Sequence, residues 1–287
     1  MLASSGQVHG HIVQEAACSE GPARFSVLGV GVCAVQIPEV VDQMNLWSRM
    51  RDRCRYIAVT GMHGIAEAQN DPQFKHILNS ADLVVADGMP LVWLGRLRGL
   101  PLRRRVYGPE LMATFCAQSI ARRQRHFLYG GDTGVADRLA DALLRRFPGI
   151  EIAGTCSPPF RPLTKEEDEK HISLINASHA DVVWVSLSEV KQDRWMFEHR
   201  DRLNVSVLVG IGAAFDFHAG IKSQAPVWMR ESGFEWLYRL VQEPKRLWRR
   251  YLIHGSQFVW KVALEEIGIR RSKWRTMKPR RSDGPRG

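Results

Sequence analysis

Polar and glycine residues directly follow the apolar segments of this 287-residue chain. Asp87, for example, comes straight after the segment Asp82 to Ala86 and is followed by Gly88. A carboxylate at the end of a buried strand is desolvated, which raises its pKa and suits it to accept a proton near neutral pH. A simple turn is the alternative for one Asp-Gly pair. The corresponding positions are Thr60 to His63, Asp87 and Gly88, Gly130 to Asp132, Ser188 to Asp193, and Gly210 to Asp216.

The elements that must position these residues alternate between two patterns. Short segments rich in Val, Ile and Leu are separated by stretches of helical periodicity, which predicts an α/β fold, a Rossmann-like and mostly parallel sheet with helices on both faces. Ligands bind beyond the carboxyl ends of such strands, so we expect the polar positions to converge on one crevice. The predicted strands are Phe25 to Val35, Tyr56 to Thr60, Asp82 to Ala86, His126 to Tyr129, Ile150 to Gly154, Asp181 to Leu187 and Val205 to Val209.

Two glycine-rich segments could contact phosphates. The segment Tyr129 to Gly134 joins a predicted strand to a predicted helix, so Gly130 and Gly131 are candidates for binding an anion through backbone amides. A tight turn with a helix cap is the compatible alternative. Gly29 to Ala34 fits the pattern G-x-G-x-x-A, but the acidic residue expected about 20 residues later does not end a second strand. This segment leaves a nicotinamide-dependent oxidoreductase open as an alternative function.

The net charge of +10 lies entirely in the last part of the chain. Residues 1–221 hold 24 basic and 24 acidic residues, whereas residues 222–287 hold 16 and 6, together with five of the nine tryptophans. The spacing predicts a basic amphipathic helical appendage over 222–269, with Pro244 starting one helix. We expect residues 1–24 to be flexible, 25–221 to form the core and 270–287 to be disordered. The appendage could bind an anionic membrane or nucleic acid, or simply pack on the body.

Several classes of protein are excluded or disfavoured by composition. The apolar fraction of 45% argues against a disordered chain, and no apolar run reaches the roughly 20 residues that span a bilayer. The first 21 residues do not resemble a secretion signal, so we expect a cytoplasmic protein. Five widely spaced cysteines lack the spacing of a zinc site or disulfide framework, and no metal or cofactor is predicted.

Several longer motifs occur in order from about Phe25 to Phe258. They are VTGMHGIAEAQNDPQFKHILNSADLVVADGMPLVW, RVYGPELM, FLYGG, SPPFRPLTKEE, VKQDRWM, VGIGAAFDFHAG and APVWMRESGFEWLYRLVQEPKRLWRRY. Together they resemble the WecB/TagA/CpsF glycosyltransferase family. The resemblance implies a metal-independent, inverting enzyme that moves a sugar, of the N-acetylmannosamine type or another hexose, from a UDP-sugar to a polyprenyl-diphosphate-linked acceptor. It would act on the inner face of the plasma membrane, as a peripheral protein, in cell-surface or exopolysaccharide synthesis.

The resemblance also implies roles for individual residues. Asp87 corresponds to the proposed base and Thr60 to an active-site threonine. Many relatives have Asn at the position of Met62, where its side chain can form hydrogen bonds near the proposed base. Met62 cannot do so, and His63 is the candidate to take over that role. The predicted donor-binding residues are Arg105, Gly130, Gly131, Lys191, Gln192 and Asp216, and the predicted diphosphate and acceptor clamp is Arg239, Arg246 and Arg249. Relatives also have proline at the position of Val190, and the ring of that proline fixes the turn at this motif.

The predicted chemistry needs one base and several cations. The base takes the acceptor hydroxyl proton while UDP leaves as an anion, and arginines with backbone amides can stabilise that anion where Asp-x-Asp and Mg²⁺ are absent. The chain contains no Asp-x-Asp sequence. The predicted partners are therefore the UDP-sugar donor, the lipid-linked acceptor and the cytoplasmic membrane surface, and not nucleic acid. A homo-oligomer is left open, and so is a non-enzymatic nucleotide- or nucleic-acid-binding protein.

Overall fold

A computed structural model describes residues 22–277, with the backbone alone at positions 246, 250, 254 and 269–277. The predicted flexible segment 1–24 therefore lies almost entirely outside the described residues, and so do residues 278–287 of the predicted disordered tail.

Eight strands form one sheet in the described part of the chain. They are β1 (Arg24–Val27), β2 (Val30–Cys33), β3 (Arg55–Thr60), β4 (Leu83–Ala86), β5 (Arg125–Gly130), β6 (Glu151–Cys156), β7 (Val182–Ser186) and β8 (Val207–Gly210). Their order across the sheet is β1-β2-β4-β3-β8-β7-β5-β6. All neighbours pair in parallel except β1 and β2. The predicted Rossmann-like, mostly parallel sheet is confirmed.

Helices cover both faces of this sheet. Those of the body are α1 (Ile37–Met50), α2 (Met62–Glu67), α3 (Pro72–Asn79), α4 (Met89–Leu97), α5 (Gly108–Ser119), α6 (Val135–Arg146), α7 (Lys165–Ala177), α8 (Glu189–His199) and α9 (Ala214–His218). Helices α1, α5, α6 and α9 bury their apolar side chains on one face, and α2, α3, α4, α7 and α8 bury theirs on the other. The central strands β3 and β4 are buried along their whole length because both of their faces are covered.

The predicted first strand, Phe25 to Val35, is wrong in one respect. It is an antiparallel hairpin of β1 and β2, because Leu28 and Gly29 both have positive φ, at 51° and 79°, and reverse the chain. The glycines of Gly29 to Ala34 therefore lie in a hairpin and not in a turn from a strand into a helix. The structure removes the geometric basis for a dinucleotide-binding fingerprint at this segment.

The appendage consists of short helices followed by one long helix. They are α10 (Val227–Glu231), α11 (Glu235–Gln242), α12 (Pro244–Trp248), a π-helical segment over Arg249–His254, and α13 (Gly255–Met277). The predicted boundary at Lys222 lies in the loop between α9 and α10. Helix α13 runs to Met277, so the prediction of disorder from residue 270 is corrected for residues 270–277, where no Gly or Pro interrupts the helix. No helix among the described residues is long and apolar enough to cross a membrane.

Apolar and charged contacts attach the appendage to the body. Leu247 and Phe258 are buried, and Phe258 joins the core beneath the sheet. Arg98, directly after α4, forms ion pairs with Glu265, at 3.3 Å, and with Glu266 of α13. Both carboxylates and the guanidinium are largely shielded from solvent, so these pairs fix the position of α13 on the body more firmly than exposed pairs would.

We expect Gly130→Ala to destabilise the fold strongly. Gly130 has a φ of 122°, and a Cβ built there would lie 2.2 Å from the carbonyl oxygen of Ser186. Strain and this clash with backbone should together lower the free energy of unfolding by about 3 kcal/mol or more. Gly134→Ala is the matched control, because its φ is 78° but no atom lies within 4 Å of the added Cβ. We expect a loss of about 1 kcal/mol there, and equal losses in urea unfolding would contradict this account.

Candidate active site

A cavity of about 310 Å³ lies at the carboxyl ends of the neighbouring strands β4, β3, β8 and β7. The predicted convergence of the residues after these strands is therefore what the structure shows. Each strand sends its following loop to the cavity wall, and the appendage supplies the remaining wall. Residues lining it from the body include His63, Asp87, Arg105, Tyr107, Glu189, Gln192 and Gly212, and those from the appendage include Arg230, Glu235, Trp236, Arg239 and Tyr251.

Asp87 is held at the end of β4 by its backbone. Its amide donates to the carbonyl of Thr60 at 2.9 Å, which continues the pairing of β3 with β4 by one residue. Its Oδ1 atom is buried, and no group in the described part of the chain donates a hydrogen bond to it. Burial of the carboxyl raises the pKa of Asp87 to about 7. A carboxyl with this pKa can exchange a proton at neutral pH.

Two cations and two anions surround this carboxyl. The charges of Arg105 and Arg239 lower the pKa of Asp87, whereas those of Glu235 and Glu189 raise it. These opposing effects partly cancel, so burial decides the direction of the shift. The pKa of Asp87 is therefore sensitive to any substitution that changes one of the four charges.

Arg105 connects three groups at the cavity wall. Its Nη1 donates to the backbone carbonyl of Asp87 at 3.1 Å, and its Nη2 donates to the carboxylate of Glu235. Its guanidinium lies 4.2 Å from the ring centroid of Tyr107. Arg105 and Glu235 are both poorly exposed, at 14% and 10% of their side chains. A buried ion pair of this kind fixes geometry, because separating the partners leaves an uncompensated charge.

Glu189 organises the turn between β3 and α2. One carboxylate oxygen accepts from Gly64 N at 3.2 Å, and from Gly61 N and Thr60 Oγ1 at 3.4 Å each. Thr60 itself is fully buried, so the structure places it behind the cavity wall and not on it. His63 lines the cavity, with its Nδ1 atom 3.8 Å from an oxygen of Glu67.

Residues of the motif VKQD point in different directions. Gln192 is buried, lines the cavity and accepts from the amide of Gly212 at 3.1 Å, which holds the loop after β8. Lys191 is exposed, with its Nζ 4.6 Å from the ring centroid of Phe160, and does not line the cavity. Asp193 is fully buried, and burial raises its pKa well above the ordinary value. The structure therefore brings Gln192 to the site but not Lys191.

Three other predicted donor-binding residues lie off the cavity wall. The amide of Gly131 donates to the carbonyl of Ser186 at 2.8 Å, so it is already used in the fold. Gly130 is packed against the same carbonyl. Asp216 forms an ion pair with Lys222 at 3.0 Å, where the chain leaves the body for the appendage. Their donor-binding roles stay predictions.

The three predicted clamp arginines do not share one helix. Helix α12, which begins at Pro244, separates α11, which carries Arg239, from the π-helical segment that begins at Arg249. Arg239 lines the cavity, whereas Arg249 is exposed and lies 5.3 Å from the ring centroid of Trp248. The side chain of Arg246 lies outside the described atoms. Of the two whose side chains are described, the structure brings Arg239 to the cavity and not Arg249.

Several site residues were missed from the sequence. Tyr107 lies within the motif RVYG, so position alone could have marked it. Glu189 was among the polar positions expected at the crevice, Ser188 to Asp193, but no role was predicted for it. Glu235, Trp236 and Tyr251 belong to an amphipathic segment that gives no signal for them individually. Their place in the site depends on how the appendage docks on the body.

The arrangement suits transfer of a group to a hydroxyl with departure of an anion. Asp87 can accept a proton, and Arg105 and Arg239 supply positive charge next to it. No group of three or more His, Cys, Asp or Glu side chains within the described residues is arranged to hold a metal ion. The metal independence of the reaction stays a prediction.

We expect Asp87→Asn to raise the melting temperature at pH 8, by at least about 3 °C. The folded state binds the Asp87 proton more tightly than the unfolded state, so the native chain loses stability as pH rises from about 4 to about 7. Asparagine removes this loss, and the gain should be larger at pH 8 than at pH 5. Asp132→Asn, at an exposed carboxylate after β5, is the matched control. A stabilisation of Asp87→Asn that is independent of pH would contradict the raised pKa.

Comparisons with known proteins indicate the family of this chain. Residues 25–272 match the glycosyl transferase WecG/TagA/CpsF family. A Bacillus spizizenii protein named N-acetylglucosaminyldiphosphoundecaprenol N-acetyl-beta-D-mannosaminyltransferase is 33% identical over 65% of this chain and 70% of its own length. A Staphylococcus aureus protein of the same name is 26% identical over 88% and 96%. An alanine racemase structure from Corynebacterium glutamicum, at 13% identity, covers 63% of this chain and 60% of the racemase with a TM-score of 0.23, too low to support an argument. The chain belongs to the WecG/TagA/CpsF family of glycosyltransferases.

Proposed function

We propose that this glycosyltransferase moves a sugar from a UDP-sugar to the sugar of a polyprenyl-diphosphate-linked acceptor, with inversion at the anomeric carbon. The observation that carries the proposal is the buried Asp87 carboxyl, with a pKa of about 7, in a cavity that also holds Arg105 and Arg239. The cavity holds a base together with two positively charged side chains, which are the two requirements for a direct displacement.

The reaction proceeds in one displacement. The acceptor hydroxyl oxygen attacks the anomeric carbon of the donor, and its proton passes to Asp87. The bond from that carbon to the β-phosphate oxygen breaks, and UDP leaves with the electron pair. Arg239 and Arg105 stabilise the negative charge that develops on the diphosphate. Attack from the face opposite the leaving group inverts the configuration.

The donor and acceptor sugars are inferred from the names of the relatives. Both named relatives are N-acetylmannosaminyltransferases that act on N-acetylglucosaminyl-diphosphoundecaprenol. We propose an N-acetylmannosamine-type donor and a lipid-linked N-acetylglucosamine acceptor for this chain. Met62 stands where many relatives have Asn, and Glu189 stands nearby with its carboxylate on Gly61 and Gly64. This local difference is where we expect a change in sugar preference to originate.

A panel of donors tests the proposal most directly. The chain is incubated with farnesyl-diphospho-N-acetylglucosamine and each of UDP-N-acetylmannosamine, UDP-N-acetylglucosamine and UDP-glucose, and the lipid product is identified by mass spectrometry. We expect transfer of one sugar with a β linkage in the product. Calorimetry with UDP and with NAD runs alongside. Binding of NAD without binding of UDP, and no lipid product from any donor, would overturn the proposal.

The appendage supports a role at the cytoplasmic face of the membrane. Helix α13 turns Phe258 toward the body and exposes Trp260, Leu264 and Ile267, spaced by four and three residues, by 67%, 50% and 48%. Such spacing forms one apolar stripe along a helix. Together with the basic residues of the last 66 positions, this stripe suits binding to an anionic lipid surface. We propose that the protein is peripheral on that surface, where its lipid-linked acceptor is found.

Replacing the base should reduce turnover sharply without unfolding the chain. We expect Asp87→Ala and Asp87→Asn each to lower kcat by roughly 10²- to 10⁴-fold, which is the usual contribution of a general base. Asp132→Asn, the exposed aspartate after β5, should leave kcat within about twofold because it does not line the cavity. Near-native turnover of Asp87→Ala, with matched circular dichroism, would remove Asp87 from this role.

Transfer should continue in a chelator. Arginine side chains replace the metal in the proposed mechanism, so we expect product formation in excess EDTA to stay within about twofold of the rate without it. The measurement is the initial rate after dialysis against EDTA, and again after Mg²⁺ or Mn²⁺ is added back. Loss of activity that either metal restores would contradict the arginine mechanism.

Membrane binding should depend on the exposed stripe of α13. We expect Trp260→Ser with Leu264→Ser to weaken binding to phosphatidylglycerol vesicles by roughly tenfold or more, because two large apolar side chains are lost from the interface. The control is Leu144→Ser with Leu174→Ser, which removes two similarly exposed leucines, at 47% and 46%, from the body. Sedimentation with vesicles measures both. Equal effects of the two pairs would contradict a membrane role for α13.

A further inference from the structure

A second cavity, of about 770 Å³, adjoins the candidate active site. The two cavities share the residues of one wall, among them Arg105, Tyr107 and Arg230. The guanidinium groups of Arg105 and Arg230 lie 4.2 and 5.3 Å from the centroid of the Tyr107 ring. Arg105, which donates to the backbone carbonyl of Asp87, therefore lines both cavities.

Arginines dominate the lining of the second cavity. They are Arg96, Arg103, Arg104, Arg105, Arg146 and Arg230. Two glutamates, Glu110 and Glu231, are the acidic residues among the lining positions, and both pair with Arg104. Six guanidinium groups against two carboxylates leave a marked excess of positive charge. An excess of this size in a concave site attracts an anionic ligand.

Most of this positive charge is not neutralised within the described part of the chain. Arg104 pairs with the two glutamates and Arg105 with Glu235. The other four arginines have no carboxylate partner there. Arg96 donates to backbone carbonyls, Arg230 contacts Gln224 and has a buried Nε without an acceptor, and Arg146 lies beside His218.

Apolar side chains stand at the edge of the same cavity. Trp93 and Val227 line it and are exposed by 48% and 57%. Trp228, the next residue, is exposed by 64%. Unpaired arginines inside and exposed apolar groups at the edge suit a ligand that carries both phosphate and hydrocarbon. A nucleotide alone would use the arginines but not this edge.

We propose that the second cavity binds the diphosphate of the lipid-linked acceptor, with the prenyl chain leaving over Trp93 and Val227. The proposal rests on the proposed function. In that acceptor the diphosphate is attached directly to the sugar whose hydroxyl reacts. The diphosphate must therefore lie beside the cavity that contains Asp87, and the wall of Arg105, Tyr107 and Arg230 is the place where the sugar passes from one cavity to the other.

A pair of doubly substituted variants tests this assignment. Arg103→Gln with Arg146→Gln removes two unpaired charges from the second cavity. Arg122→Gln with Arg138→Gln makes the same change in net charge at exposed arginines that line neither cavity. Affinities for farnesyl diphosphate, inorganic pyrophosphate and UDP are measured by calorimetry, and KM is measured for donor and acceptor separately.

The cavity variant should bind farnesyl diphosphate at least about tenfold more weakly than the native chain, because two charge-assisted contacts are lost. Its KM for the acceptor should rise by a similar factor, while its affinity for UDP and its KM for the donor stay within about twofold of the native values. The control variant should match the native chain in all five measurements. The native chain should bind farnesyl diphosphate more tightly than pyrophosphate, because the prenyl chain contacts the apolar edge.

Three results would overturn the assignment. Farnesyl diphosphate could bind equally well to the cavity variant. UDP affinity could fall as much as that of farnesyl diphosphate, which would make this a donor site. Pyrophosphate could bind as tightly as farnesyl diphosphate, which would make it a site for free diphosphate. Calorimetry needs no turnover, so a chain that binds farnesyl diphosphate through Arg103 and Arg146 but transfers no sugar would refute the proposed function alone.

Discussion

The Arg105 guanidinium joins the body to the appendage at the cavity. It donates to the backbone of Asp87 at the end of β4 and to the carboxylate of Glu235 at the start of α11, and it stacks on Tyr107. Because the pair with Glu235 is poorly exposed, the appendage cannot separate from the body here without leaving a buried charge. The position of Arg239 in the same cavity depends on that attachment.

Burial gives Asp87 its proposed chemistry at the expense of stability. A carboxyl in water is ionised at neutral pH but is a poor base, whereas the carboxyl at the end of β4 keeps a pKa of about 7 because the surrounding wall excludes water. Two of the four nearby charges raise this pKa and two lower it, so the charged residues of the site set its value. The two arginines among these four charges would also stabilise a diphosphate, which links binding of the donor to the protonation state of the base.

The sequence predicted the sheet well and the contacts of the appendage less well. Alternating apolar and helical segments were enough to predict a parallel sheet with Asp87 and Gln192 at its carboxyl ends, because parallel strands align those ends. The hairpin at Leu28 and Gly29 was not predicted, since a reversal of two residues does not interrupt the apolar pattern. The place of Glu235 in the cavity depends on tertiary docking, which no local spacing records. The separation of Arg239 from Arg249 depends on the break between α11 and the π-helical segment that begins at Arg249.

The pH dependence of kcat/KM tests the central claim most directly, because it reports the ionisation of the base in the free enzyme. The native chain should gain activity as pH rises, with an apparent pKa near 7, and Glu189→Gln should move that value lower because it removes a negative charge that raises the pKa of Asp87. A profile that is flat between pH 5 and pH 8, or that titrates near pH 4 in both proteins, would contradict a buried Asp87 acting as the base.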